Sequence, residues 1–151
     1  MQLPNITTNR RGAALAETAI VLPLVLTLSL GMLDLAIGVF RYNTVSQAAR
    51  QGARKAIVHG KLAPPQSTQW GPATYTASGN GTGAIETALL PDLAGLDPAQ
   101  VTIRLEWLDL SSAPDSRVRV TVSTTYYPIL TSLFGNPAFI LTGSSTTRIA
   151  H

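Results

Sequence analysis

The 151-residue chain has no cysteine, two histidines and a low charge content, 13% of residues. The missing cysteine excludes disulfide scaffolds, cysteine nucleophiles, thiolate zinc sites and iron–sulfur clusters. It leaves the compartment open, because an oxidising compartment permits disulfides without requiring them. With His59 and the terminal His151 as the only imidazoles, there is no basis for a histidine-rich metal centre or a Ser–His–Asp triad. The sparse charge, an apolar fraction of 45% and a mean hydropathy of +0.20 argue against disorder, which needs the opposite balance. The length suits one domain.

Basic residues exceed acidic ones by three, and a pI of 9.7 would suit a nucleic-acid binder. The excess is not spread evenly. Residues 1–60 hold six basic and two acidic side chains, and residues 61–151 hold five and six. The positive charge therefore belongs to the N-terminal part, where the hydrophobicity is also concentrated, and no nucleic-acid partner is expected.

From Thr18 to Phe40 the chain reads TAIVLPLVLTLSLGMLDLAIGVF, 23 residues with one charge, Asp34. As a helix this run would be about 35 Å long, against a hydrocarbon core of about 30 Å. Its Leu, Ile, Val and Phe residues each favour insertion by about 0.3–0.6 kcal/mol, and thirteen of them outweigh the cost of one off-centre aspartate. Pro23 sits near the start, where a helix tolerates it best; deeper in, it would kink the helix. A cleaved secretory signal competes, with Arg10 and Arg11 as its basic start and Ser46-Gln47-Ala48-Ala49 as a cleavage-like site. Its apolar core would run about 7–15 residues, shorter than this one.

Helical character continues through RYNTVSQAARQGARKAIVHG. Val45, Ala49, Gly52, Ala53, Ala56 and Ile57 recur every three or four residues, which makes one apolar stripe of small side chains. Arg41, Arg50, Arg54 and Lys55 lie mostly off it. Gly60 is the expected stop, and Pro64-Pro65 cannot continue a helix. The expectation is a single helix, about 70 Å long, greasy in its first half and amphipathic in its second. The chain then divides into a basic leader (1–12), a transmembrane half (13–41), an amphipathic half (42–60), a Gly/Pro/Ser/Thr-rich loop (61–83) and an outer domain (84–151).

Just before the apolar run stand Arg10-Arg11-Gly12-Ala13-Ala14-Leu15-Ala16-Glu17. The stretch RRGAALAETAIVLPLVL resembles the start of TadE-like proteins of the tight-adherence (Flp-type) pilus machinery, and QAARQGARKA resembles the second half of their helix. The likeness covers residues 10–60. It implies a type IV prepilin-like N-terminus, with leader charge on Arg10 and Arg11 and cleavage between Gly12 and Ala13 by a prepilin peptidase. Glu17 is then the fifth mature residue and Pro23 the eleventh. The implied partners are that peptidase, other pilins or pseudopilins and pilus platform proteins. The implied location is the bacterial inner membrane, single-pass, with the N-terminus cytoplasmic and the C-terminal domain extracytoplasmic. Thr18 departs from the major Flp pilin, which has Tyr after the Glu and is far shorter; both points favour a minor pseudopilin. Type II secretion pseudopilins start Phe-Thr-Leu-Ile-Glu, a poorer match to Ala-Ala-Leu-Ala-Glu.

Physical reasons accompany this resemblance. Lys and Arg prefer the cytoplasmic side, which holds the leader there. Gly12 has no side chain to keep an enzyme's backbone away. Glu17 places a carboxylate at the hydrocarbon edge, costly unless paired, and the Ala13 amine of a neighbouring subunit would pair it. The plainer reading of Glu17 is an acidic group favoured by the start of a helix. Asp34 also reads two ways: an intramembrane contact with another helix or a platform protein, or a hydrated group near the outer interface. Gly31 and Gly38 share a helix face and would permit close helix packing.

In the loop, Gly79, Gly81 and Gly83 lack the Lys-Ser/Thr of a P-loop and the spacing of a dinucleotide-binding turn. Trp70 and Tyr75 are expected to cover the core. Ala84–Leu93 reads as a short helix. Val101, Ile103, Leu105 and Trp107 alternate with more polar residues, as do Val118, Val120 and Val122, which predicts an antiparallel hairpin about the turn Ser111–Asp115. Glu106 is expected to pair with Arg119 or Arg117 across its open face. A third, edge strand is expected near Ala138–Thr147 after Gly135-Asn136-Pro137. The fold class is thus α+β: a long N-terminal helix, its first half transmembrane, packed on a small antiparallel sheet, the pilin-like arrangement. No catalytic set, cofactor or small-molecule substrate is expected. The rival to a processed pseudopilin is an unprocessed single-pass protein whose outer domain binds a secretion or adhesion partner.

Overall fold

The computed structural model describes residues 10–132, 135 and 137–150. The rest of the basic leader and His151 lie outside them, as do the side chains of Arg10 and Arg11 and the Asn136 of the expected turn.

Helix α1 (Arg10–Ile57) runs for 48 residues, about 72 Å at 1.5 Å per residue. Pro23 lies within it and does not end it. Inside the apolar stretch the hydroxyls of Thr18 and Thr27 donate to the carbonyls of Ala14 (2.9 Å) and Pro23 (2.8 Å) one turn earlier. No polar hydrogen of these side chains is then left to face lipid. The helix closes with tighter bonds, Val58 to Lys55 and His59 to Ala56, so regular α-structure ends at Ile57, just short of Gly60.

The remaining chain forms β1 (Tyr75–Ser78), α2 (Ala84–Leu89), β2 (Val101–Trp107), β3 (Arg117–Tyr126), α3 (Ile129–Ser132) and β4 (Phe139–Arg148). The sheet is antiparallel throughout, in the order β1-β2-β3-β4. The α+β class, the long helix and the hairpin are as the sequence predicts, and β4 is the expected edge strand. Three details differ. The stretch 61–83 is not all loop, because β1 pairs Tyr75 with Leu105 and Ala77 with Ile103; four residues between Gly- and Pro-rich flanks are too few to show a period. The helix expected over Ala84–Leu93 breaks at Leu89 and continues as a 3₁₀ turn, Leu90–Leu93, because Pro91 has no N–H to continue the α-ladder. Glu106 does stand opposite Arg119, yet its carboxylate binds Arg104 at 2.6 Å, while Arg119 donates to Thr146 and Arg117 binds Asp109. Exposed ion pairs of this kind are worth only about 0–1 kcal/mol, too little for one partner choice to be dictated by register.

The core lies between the second half of α1 and the inner face of the sheet. Val45, Ala48, Ala49, Ala53 and Ala56 meet Ile103, Leu105, Val118, Val120 and Val122, with Leu89 and Leu93 closing one side. The small side chains let the helix sit almost on the strands. A Cβ at Gly52 would stand 2.8 Å from Leu89 Cδ2 and 2.9 Å from Val120 Cγ1. A Cβ at Gly143, the one buried residue of β4, would stand 2.7 Å from Ser46 Cα and 2.8 Å from its backbone nitrogen. Trp70 is buried as expected and stacks on His59, centroids 4.3 Å apart. Half-buried Tyr75 donates to the buried carboxylate of Glu86. Lys55 ties the helix to α2 through the Ala88 carbonyl and Asp92.

Candidate functional site

Among the described residues, the first part of α1 stands clear of the core. From Gly12 to Ser29 every residue is exposed, a length of about 27 Å. Its large side chains are apolar: Leu15, Ile20, Leu22, Leu24, Leu26 and Leu28 are each more than half exposed. The most apolar 18-residue window of the helix has a mean hydropathy of 2.3, and the helix is long and apolar enough to cross a membrane. Water would charge heavily for such a surface, so a lipid or protein environment is required.

At the N-terminal end of the helix, Gly12 and Ala13 lie in the first turns of α1, both exposed. Glu17 stands one turn further on, also exposed, beside Thr18, Val21, Leu22 and Val25. Among the described residues its carboxylate makes no salt bridge. The geometry thus presents a carboxylate on an otherwise apolar rod, a turn away from the Gly12–Ala13 bond.

At the other end of the exposed stretch stands Asp34, 7% exposed. Its partners are within the chain. Oδ1 accepts the Ile129 amide at 2.8 Å and Oδ2 the Leu130 amide at 2.7 Å. The carboxylate therefore caps α3 from a residue 95 positions away, and satisfies two amides that a helix start leaves free. The Tyr126 hydroxyl lies 3.0 Å from the Asp34 carbonyl and 3.3 Å from Oδ1; with one proton it donates to one at a time. Arg41 covers the Tyr126 ring at 5.1 Å, a cation–π contact. The glycines expected to admit a neighbouring helix instead face this hairpin. A Cβ on Gly38 would be 3.5 Å from Tyr126, and one on Gly31 would be 3.7 Å from Leu130.

Asp34, Gly38 and Arg41 are spaced as one helix face, so α1 offers a stripe onto which the β3–β4 hairpin latches. The sequence flagged Asp34 and both glycines. It did not flag Tyr126, whose role depends on a contact 92 residues away. The exposed rod and its α+β domain define a membrane-associated protein. Its α1 segment is where a known family enters: the family model described as TadE-like protein matches residues 12–54. That span holds Gly12, Glu17, Asp34 and most of the small-residue stripe, in keeping with the resemblance drawn from RRGAALAETAIVLPLVL. No curated protein and no solved structure matches the chain.

Proposed function

We propose that the chain is a minor pseudopilin of a tight-adherence pilus, trimmed between Gly12 and Ala13 by a prepilin peptidase. Its function is structural, and Glu17 and the new Ala13 amine set the register of its helix against another pilin. The observation that carries this reading is the bare apolar helix, Gly12–Ser29, with Glu17 a turn inside it, in a segment that matches the TadE-like family. A carboxylate at that depth needs a cation, and cleavage creates one on each neighbouring subunit. In this reading the domain is extracytoplasmic, α1 anchors it in the inner membrane, and its partners are the peptidase, other pilins and the platform proteins.

Co-expression with the peptidase of the same pilus system tests the processing step. The wild-type chain is expected to shift to a shorter product. Gly12→Trp is expected to stay at full length, because a bulky side chain keeps the backbone away from the enzyme. A chain that remains full length beside a peptidase that cleaves its own major pilin refutes the reading. It then stands as an unprocessed single-pass protein with an outer binding domain.

A further inference from the structure

We infer that the end of the β3–β4 hairpin is a second membrane contact. The turn at Tyr127–Thr131 and the start of β4 at Phe139 and Ile140 sit in the leaflet from which α1 enters the domain. The inference rests on α1 crossing a bilayer, and on four observations beyond it.

First, no Asp, Glu, Lys or Arg occurs from Val120 to Thr147, the longest uncharged run in the chain. Second, the hairpin end exposes what a water-facing turn would hide: Tyr127 is 48% exposed, Ile129 47%, Phe139 49% and Ile140 75%. Beside them an apolar groove of about 500 Å³ runs between Leu35 and Val39 of α1 and Leu130 and Leu141 of the hairpin. The hairpin also reaches beyond its neighbour. β2 pairs with β3 only as far as Thr124, whereas β3 and β4 stay paired out to Tyr126 and Phe139.

Third, the heights agree. Leu130 lies against Gly31, and its amide binds Asp34. Gly31 is about 21 Å along the helix from Glu17, the carboxylate at the hydrocarbon edge, so a core of about 30 Å that begins there runs on past Gly31 to about Ile37. The hairpin turn, level with Gly31 and Asp34, therefore falls within the outer part of that span. Leu35 and Val39, exposed on α1, carry its apolar surface to the groove they share with Leu130 and Leu141. Fourth, polar hydrogens of Ile129, Leu130, Thr131 and Ser132 are satisfied within the chain, which lowers the cost of entering a poorly hydrated layer. Asp34 takes the Ile129 and Leu130 amides, Thr131 Oγ1 donates to the Pro128 carbonyl, and Ser132 Oγ donates to the Ile129 carbonyl. Arg41, about 10 Å further along α1 than Asp34, holds its guanidinium over the Tyr126 ring, at a height where headgroup phosphates are within reach of a long basic side chain. The hairpin end thus acts as a wedge that fixes the tilt and height of the domain on the membrane.

The chain has no cysteine of its own, so single labels can be placed at will. Ile129→Cys and Ile140→Cys, each carrying an environment-sensitive nitrobenzoxadiazole label, are reconstituted as full chains in phosphatidylethanolamine/phosphatidylglycerol vesicles with or without doxyl-labelled lipid. Leu26→Cys, on the bare helix, and Thr76→Cys, exposed on the far edge of the sheet, bracket the scale. A turn seated about 5–10 Å into the interface gives shallow-doxyl quenching at Ile129 and Ile140 at least about twofold above that at Thr76. If Leu26 is quenched while both hairpin labels behave like Thr76, the hairpin inference is overturned and the membrane span stands. If Leu26 is not quenched either, the span itself fails and the inference falls with it. Hairpin labels shielded from aqueous iodide yet insensitive to doxyl lipid mean that a protein covers this face, which also overturns the inference.

Discussion

Gly143 offers the sharpest test of how the helix meets the sheet. It lies in the Thr/Ser-rich strand β4, where glycine ordinarily weakens a strand, so sequence alone predicts that Gly143→Ala stabilises. The structure reverses the sign. The added methyl would meet Ser46 Cα at 2.7 Å, Ser46 N at 2.8 Å and the Val45 carbonyl carbon at 2.9 Å. These are backbone atoms in the middle of a long helix and cannot turn aside as a side chain can. Overpacking costs about 1–3 kcal/mol, and the lower freedom of the unfolded alanine chain returns about 0.4–1 kcal/mol. At mid-range values the net loss is about 1.3 kcal/mol, or a fall in urea midpoint of about 0.4–1.3 M at slopes of about 1–3 kcal/mol/M. Trp70 and Trp107 are both 4% exposed, so their fluorescence reports unfolding of the full chain in mild detergent. Ser144→Ala, at an exposed neighbouring position, is expected to change stability by less than about 0.5 kcal/mol. An unchanged or higher midpoint for Gly143→Ala would refute the direct seating of β4 on α1.

Further outcomes are expected. Gly52→Ala meets only side-chain ends, Leu89 Cδ2 and Val120 Cγ1, so its loss is recovered in part by adding Leu89→Val, whereas no change of side chain on α1 rescues Gly143→Ala. Asp34→Ala leaves the Ile129 and Leu130 amides without their acceptors, and hydrogen exchange in that turn is expected to speed up by about tenfold or more; unchanged exchange would show that the cap is idle. Asp109 is held down to about 2, chiefly by the Arg117 guanidinium and then by the Arg117 amide. Its folded pKa is below its unfolded one, so its contribution is present above about pH 4 and is lost as the pH falls towards 2. Asp109→Asn should therefore be less stable than wild type at neutral pH, with the gap closing in that window; a gap independent of pH contradicts the assignment. Glu17→Ala is expected to leave processing largely intact and to impair assembly, and unchanged piliation would remove its role in register.

Much of this architecture is written locally. The 23-residue apolar run, the stripe from Val45 to Ala56 and the alternation of Val101–Trp107 each repeat within a few residues, so periodicity reveals helix, helix face and strand. What sequence conceals depends on contacts between distant parts. Asp34 is legible as an expensive group but not as the cap of α3, because Ile129 and Leu130 reach it only after the sheet has brought the hairpin back along α1. Gly31 and Gly38 signal close packing without saying against what, and the answer is the chain's own Leu130 and Tyr126. Glu106 illustrates the converse: register places Arg119 opposite it, yet weak exposed charges settle on Arg104. The Gly12–Glu17 junction is read almost wholly from sequence, since the structure adds to it only exposure and helical spacing.

The most direct measurement is the intact mass of the protein extracted from the membrane and pilus fractions of cells that assemble the pilus. A first residue of Ala13, with the leader through Gly12 gone, is the predicted result. A protein that keeps Met1 through Gly12 in both fractions, while the major pilin in the same cells is cleaved, would contradict the account.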